Sequence, residues 1–165
     1  QWEIKLKTCI KINCQIGMRK INKFCILAKP LTYMNSSGIA VNKLLKEYHL
    51  QPEEILVISD DFHLPLGTIR IRESGSSGGH KGLESIINCL DTKNFPRLRL
   101  GIGPLPENID PVKFVLQPFT RQEESKLKLF LAQVIDAIET FLSQGLRKTI
   151  HLPVEDPNFA KRTRR

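Results

Sequence analysis

No stretch of this chain is apolar for long enough to cross a membrane. Its opening residues, Gln1-Trp-Glu3, do not start a secretory signal. An initiator Met is also lacking, from which we expect the sequence to begin part-way into a longer protein. Cysteine is scarce: Cys9, Cys14, Cys25 and Cys89, none spaced as Cys-x-x-Cys. That spacing argues against a zinc site, and a chain of 165 residues needs no disulfide framework to hold a core. Buried thiols in a reducing compartment are expected instead. No internal repeat is visible. The glycine-rich segment Gly75–Gly82 lacks the Gly-Lys-Ser/Thr ending of a Walker loop and the glycine spacing of a dinucleotide fingerprint, which weakens a mononucleotide-binding reading.

What is present is a 41% apolar composition with a formal net charge of +8. Four of the positive charges fall in the last five residues, 161–165. A basic balance favours a polyanionic partner such as RNA. A solvated surface with a basic tail explains the same count. One domain is expected over residues 1–152, followed by a basic, disordered tail over 153–165, where little apolar material remains.

Periodicity predicts strands alternating with helices. Residues 1–28 read as a hairpin-like pair of strands with Gly17 near the turn, stopped by Pro30. Asn35-Ser36-Ser37-Gly38 has the chemistry of a helix N-cap, and Val41, Leu44, Leu45 and Tyr48 then share one helical face. Ile55–Ser59 is an apolar run of buried-strand type, and Thr68–Arg72 alternates with Arg70 and Arg72 outward. The loop 75–82 leads into a helix carrying Leu83, Ile86, Ile87 and Leu90, and Arg97–Gly103 alternates as another strand. Thr120-x-x-Glu123 is a capping box that opens a long helix, with an apolar stripe from Leu127 to Leu142 and Gly145 as its C′ residue. These elements imply an α/β fold: a single layered domain with a mixed, twisted sheet flanked by helices.

Chemistry concentrates at two places. Asp60 and Asp61 follow the apolar strand, where α/β sheets bind ligands. An Asp there can accept from an imidazole N–H, fix its tautomer and raise the basicity of the other nitrogen, or it can simply cap a turn. Two adjacent strand carboxylates point in opposite directions and lack companion metal ligands. The loop before His80 can offer backbone N–H groups to a phosphate, or its glycines can serve only positive φ. His80 opens a helix, and Lys81 can meet a phosphate as a point charge. Asn35 either caps a helix or orients a carbonyl or a water. His49, His63 and His151 have no evident partners in the sequence.

Taken in order, Lys29-Pro-Leu-Thr-Tyr-Met-Asn-Ser-Ser-Gly38, Asp60-Asp-x-x-Leu-Pro-Leu-Gly67, Gly78-Gly-His-Lys-Gly-Leu83, Phe95-x-Arg-Leu-Arg-Leu-Gly-Ile-Gly103 and Phe114-Val-Leu116 closely resemble the bacterial-type peptidyl-tRNA hydrolase family. The resemblance covers residues 23–145. It implies an esterase that frees tRNA from peptidyl-tRNA, without metal or cofactor, using a histidine base partnered by an aspartate. Asp60 matches that aspartate. Asn35 matches a substrate-contacting asparagine, Tyr33 an aromatic position of the same cleft, and His80 the histidine of the family's Gly-Gly-His-Asn-Gly motif. A monomer is implied, in a bacterial cytoplasm or in an organelle, with no membrane partner.

Two departures matter. The family's opening Gly-Leu-Gly-Asn-Pro-Gly strand–loop and its Thr-Arg-His-Asn segment, which supplies the catalytic histidine, have no counterpart here. The fold is therefore expected to lack the family's first strand, and the chain alone to hydrolyse little. The family's Asn after Gly-Gly-His is Lys81, which can meet a phosphate but cannot accept a hydrogen bond. The alternative expectation is a non-catalytic module that binds RNA or a protein through the same cleft.

Overall fold

The strands form two separate three-stranded sheets in this computed structural model, which describes residues 3–20 and 24–150. The chain divides into two compact units, Gln1–Leu56 with Glu73–Pro96, and Val57–Arg72 with Arg97–Arg165. The α/β class expected from the sequence is what the structure has. The predicted tail, 153–165, lies outside the described residues.

In the first unit, β1 (Lys7–Cys9), β2 (Cys14–Lys20) and β3 (Phe24–Pro30) make an antiparallel sheet in the order β1-β2-β3. The predicted turn at Gly17 is not there. Gly17 sits mid-strand in β2 opposite Leu27, where its missing side chain gives room to Ile4 and Leu6. Pro30 does end β3, as a residue without an N–H should. A 3₁₀ turn at Met34–Ser36 leads into α1 (Ser37–Tyr48), and α2 (Lys81–Leu90) packs against both. Ile12, Cys14, Ala40 and Leu44 form a buried cluster, with Cys9, Ile16, Tyr48 and Leu50 packed against it. Burial raises the Cys14 and Cys25 thiols above their ordinary value. Of the four cysteines, only Cys14 is fully buried.

In the second unit, β4 (Val57–Pro65), β5 (Ile69–Arg72) and β6 (Arg97–Gly103) form a mixed sheet in the order β4-β6-β5, with β4 parallel and β5 antiparallel to β6. A short helix, α3 (Pro111–Leu116), is capped by Asp110, whose carboxylate accepts from the Lys113 N–H. The capping box of α4 (Arg121–Gln144) forms as predicted: the Glu123 N–H donates to Thr120 Oγ1, and Glu123 accepts from the Thr120 N–H. Gly145 closes α4 at φ 81°, and α5 (Leu146–Ile150) packs on β5. Only part of the predicted apolar stripe is core. Phe130, Val134 and Ala137 are buried, whereas Leu131 and Ile135 are 50% and 40% exposed.

Candidate functional site

Four of the five residues singled out by sequence gather at one place in the first unit. The 3₁₀ turn Met34–Ser36 packs against α2, so Tyr33 and Asn35 stand beside the start of the helix that carries His80 and Lys81. Tyr33 is 87% exposed, and Asn35 and Lys81 are exposed. The expected N-cap chemistry at Asn35–Ser37 is not used on the helix. Ser36 is the N-cap but makes no side-chain cap bond, and Ser37 Oγ donates to the Met34 carbonyl at 2.9 Å. One amide in the first turn of α1 is satisfied by the neighbouring helix instead: the Gly38 N–H donates to Ser85 Oγ of α2 at 3.0 Å. This releases Asn35 from capping and leaves its amide at the surface.

His80 caps α2. Its Nδ1 accepts from the Gly82 N–H at 3.1 Å and from the Leu83 N–H at 3.2 Å. Nδ1 is thus the accepting nitrogen of the ring, turned toward the first helical turn. The loop before it is conformationally glycine-dependent: Gly78 and Gly79 take φ of 58° and 82°. Its amides are partly spent internally, Gly79 N–H on Ser77 Oγ and His80 N–H on the Ser77 carbonyl. That favours the turn reading of these glycines over a phosphate cradle. Lys81 occupies the first helical position, where a cation opposes the helix dipole.

The second unit holds the carboxylates, on opposite faces of one strand. Residues paired across strands share a face, and neighbours along a strand alternate. Asp60 pairs with Leu100 and so lies on the face of Leu98, Leu100, Ile69 and Ile71. It is half-buried there. Asp61 lies on the other face, is 4% exposed, and is committed: Oδ1 accepts from the His63 N–H at 2.9 Å, and Oδ2 is 3.0 Å from Arg99 Nε.

The face of Asp61 has a feature that the sequence reading missed. The register sets Arg70 against Arg99 and Arg72 against Arg97, so four guanidinium groups share it. Arg70 and Arg72 are exposed on the edge strand, as predicted, whereas Arg97 is only 1% exposed. Burial, and then the charge of Arg99, pull the Arg97 guanidinium below its usual range. Ser59 lies on the same face, and its buried hydroxyl has no hydrogen-bond partner among the described residues. The signal in the sequence was two Arg-x-Arg patterns, but only the strand pairing brings them together. Among the described residues, no three His, Cys, Asp or Glu side chains group as metal ligands, and no helix is long and apolar enough to cross a membrane.

A family model described as peptidyl-tRNA hydrolase matches residues 1–158. The peptidyl-tRNA hydrolase of Aquifex aeolicus is 53% identical over 113 residues, covering 68% of this chain and 59% of that protein. That of Sulfurihydrogenibium sp. is 47% identical over 127 residues, covering 77% and 67%. The chain thus spans about three fifths of the length of the Aquifex relative. The crystal structure of peptidyl-tRNA hydrolase from Acinetobacter baumannii superposes with a TM-score of 0.79 at 29% identity, over 90% of this chain and 78% of that one.

Proposed function

Because the chain belongs to the peptidyl-tRNA hydrolase family, we propose that it serves in hydrolysis of the ester between a peptide and tRNA. The observation that carries this reading is the gathering of Tyr33, Asn35, His80 and Lys81 at one pair of helix entrances, with Asn35 relieved of capping by Ser85. An exposed aromatic ring, an amide and a lysine suit a nucleotide end: a face to stack on, a donor–acceptor pair and a phosphate charge. Arg70 and Arg72 add exposed positive charge in the other unit, which suits the RNA backbone. We assign Asp60 as the carboxylate that orients the imidazole base. Its neighbour Asp61 is held by Arg99 and cannot serve. The base activates water for attack on the ester carbonyl, and amide donors stabilise the oxyanion. Peptidyl-tRNA is the substrate, the protein works as a monomer, and the bacterial cytoplasm or an organelle is its compartment.

The test is release of tRNA from peptidyl-tRNA by the protein translated from the whole coding region. Asp60→Asn is expected to lower kcat by about 100-fold or more with tRNA affinity nearly unchanged. An equal loss of affinity would remove Asp60 from the base. Asn35→Ala should weaken both affinity and turnover. Lys81→Asn should improve substrate positioning, whereas a drop in tRNA affinity would make Lys81 a phosphate contact in its own right. Salt-dependent tRNA binding without turnover would favour the non-catalytic RNA-binding alternative.

A further inference from the structure

We propose that Cys9 and Cys14 form a reversible disulfide that fastens β1 to β2. The two residues are direct partners across the antiparallel pair, closing the four-residue turn 10–13. Direct partners have Cα atoms about 4.5–5.5 Å apart and side chains on one face. A disulfide accepts Cα separations of about 4.4–6.8 Å. Both cysteines are free thiols and both belong to the same apolar cluster, Cys14 as a core member and Cys9 packed against it.

The two thiols differ in a useful way. Cys9 is half-buried and reachable, whereas Cys14 is 1% exposed. The oxidant we assign is a low-molecular-weight disulfide such as glutathione disulfide. The Cys9 thiol loses its proton to water, and its thiolate attacks one glutathione sulfur, forming a Cys9–glutathione mixed disulfide and expelling one glutathione thiolate. The Cys14 thiol then loses its proton, and its thiolate attacks the Cys9 sulfur and expels the second glutathione thiolate. Both expelled thiolates take up protons. Two protein thiols are oxidised by two electrons, and one glutathione disulfide is reduced to two glutathiones. Burial of Cys14 slows the second step, so the mixed disulfide is the intermediate that accumulates.

The turn inside the closed ring already reaches α1. Ile12 is 1% exposed in the shared cluster, and Lys11 Nζ is 2.6 Å from Glu47 Oε2. β1 is a three-residue edge strand, so it can draw in to meet the bond length with little else moving. Oxidation therefore fixes an edge that is otherwise held by a short ladder.

The test uses the reduced, folded full chain treated with glutathione disulfide, then alkylated under denaturing conditions and cut with trypsin. Cleavage after Lys11 separates the two cysteines, so the expected product is peptide 8–11 joined to peptide 12–19. The oxidised protein should melt a few degrees above the reduced one (about 4 °C). In Cys9→Ser, both the joined peptides and the shift should vanish. Alkylation of both cysteines, a mixed disulfide on Cys9 that never resolves, or a bond from Cys9 to Cys25 or Cys89 overturns the proposal. So does a shift that persists in Cys9→Ser.

Discussion

The two units carry their polar residues in different ways. In the first, Tyr33, Asn35 and Lys81 stand exposed on a 3₁₀ turn and a helix entrance, and the contacts that hold those entrances come from other residues, Ser85 and His80. In the second, Asp61, Arg97 and Arg99 lie within strands, shielded from water, where Asp61 pairs with Arg99 and Arg99 opposes the charge of Arg97. Surface groups on a rigid entrance can change while the fold survives. Charges within a sheet cannot, because removing one strands its partner.

The largest expected effect tests this directly. Asp61→Ala leaves Arg99 with a nearly buried, unmatched charge and should destabilise the protein by about 3 kcal/mol, read from denaturant melts. A loss under about 1 kcal/mol would erase the contrast between the units, since it would make the pair no stronger than a surface ion pair. Next comes Gly38→Ala, which drives a methyl group into the Ser85 backbone, forces α1 and α2 apart and should cost about 2 kcal/mol. His80→Ala removes a cap from two amides and should cost about 1 kcal/mol. His80→Asn should return most of that stability, because an amide oxygen caps as well. Failure of that rescue would mean that His80 does more than cap. Ser59→Ala should be neutral or slightly stabilising, since it removes an unsatisfied buried hydroxyl beside the arginines.

The smallest effect is alkaline. Cys14 has a folded-state value raised above its ordinary 9.0, by burial first and by Cys9 second. The folded chain therefore holds a proton that the unfolded chain releases, so this stability is complete below about pH 9 and is lost as pH rises through the folded value. Cys14→Ala should flatten that part of the stability–pH curve. An unchanged slope would assign the alkaline loss elsewhere, with Cys25 the next candidate.

Much of this architecture is legible in the sequence because local chemistry decides it. The Thr120–Glu123 box, the Gly145 terminus and the alternating burial of Ile69–Arg72 follow from rules that need no tertiary partner. Errors arise where a neighbour decides. Gly17 resembles a turn residue, yet it lies mid-strand because Ile4 and Leu6 need its space. Arg97-Leu-Arg-Leu100 alternates as a strand should, yet its alternation does not show that Arg97 is 1% exposed while Arg70 and Arg72 on the same face stay in water. Leu131 and Ile135 keep helical spacing with the core residues of α4 yet fall outside its buried face. At the candidate site, the opposite directions of Asp60 and Asp61 were readable from strand alternation alone. That Asp61 is engaged by Arg99 was not, because the two lie nearly forty residues apart in sequence (99 − 61 = 38). The Ser85 contact that frees Asn35 is invisible for the same reason.

That Gly38–Ser85 contact also sets how the region can breathe. Amides in the first turn of a helix ordinarily swap their hydrogens with solvent soon after the end frays. Here the Gly38 amide is clamped by a different helix, so its deuterium uptake tracks separation of α1 from α2 rather than fraying. A ligand bridging Asn35 and Lys81 would slow that uptake without touching Gly38, giving a readout of occupancy in the absence of any turnover.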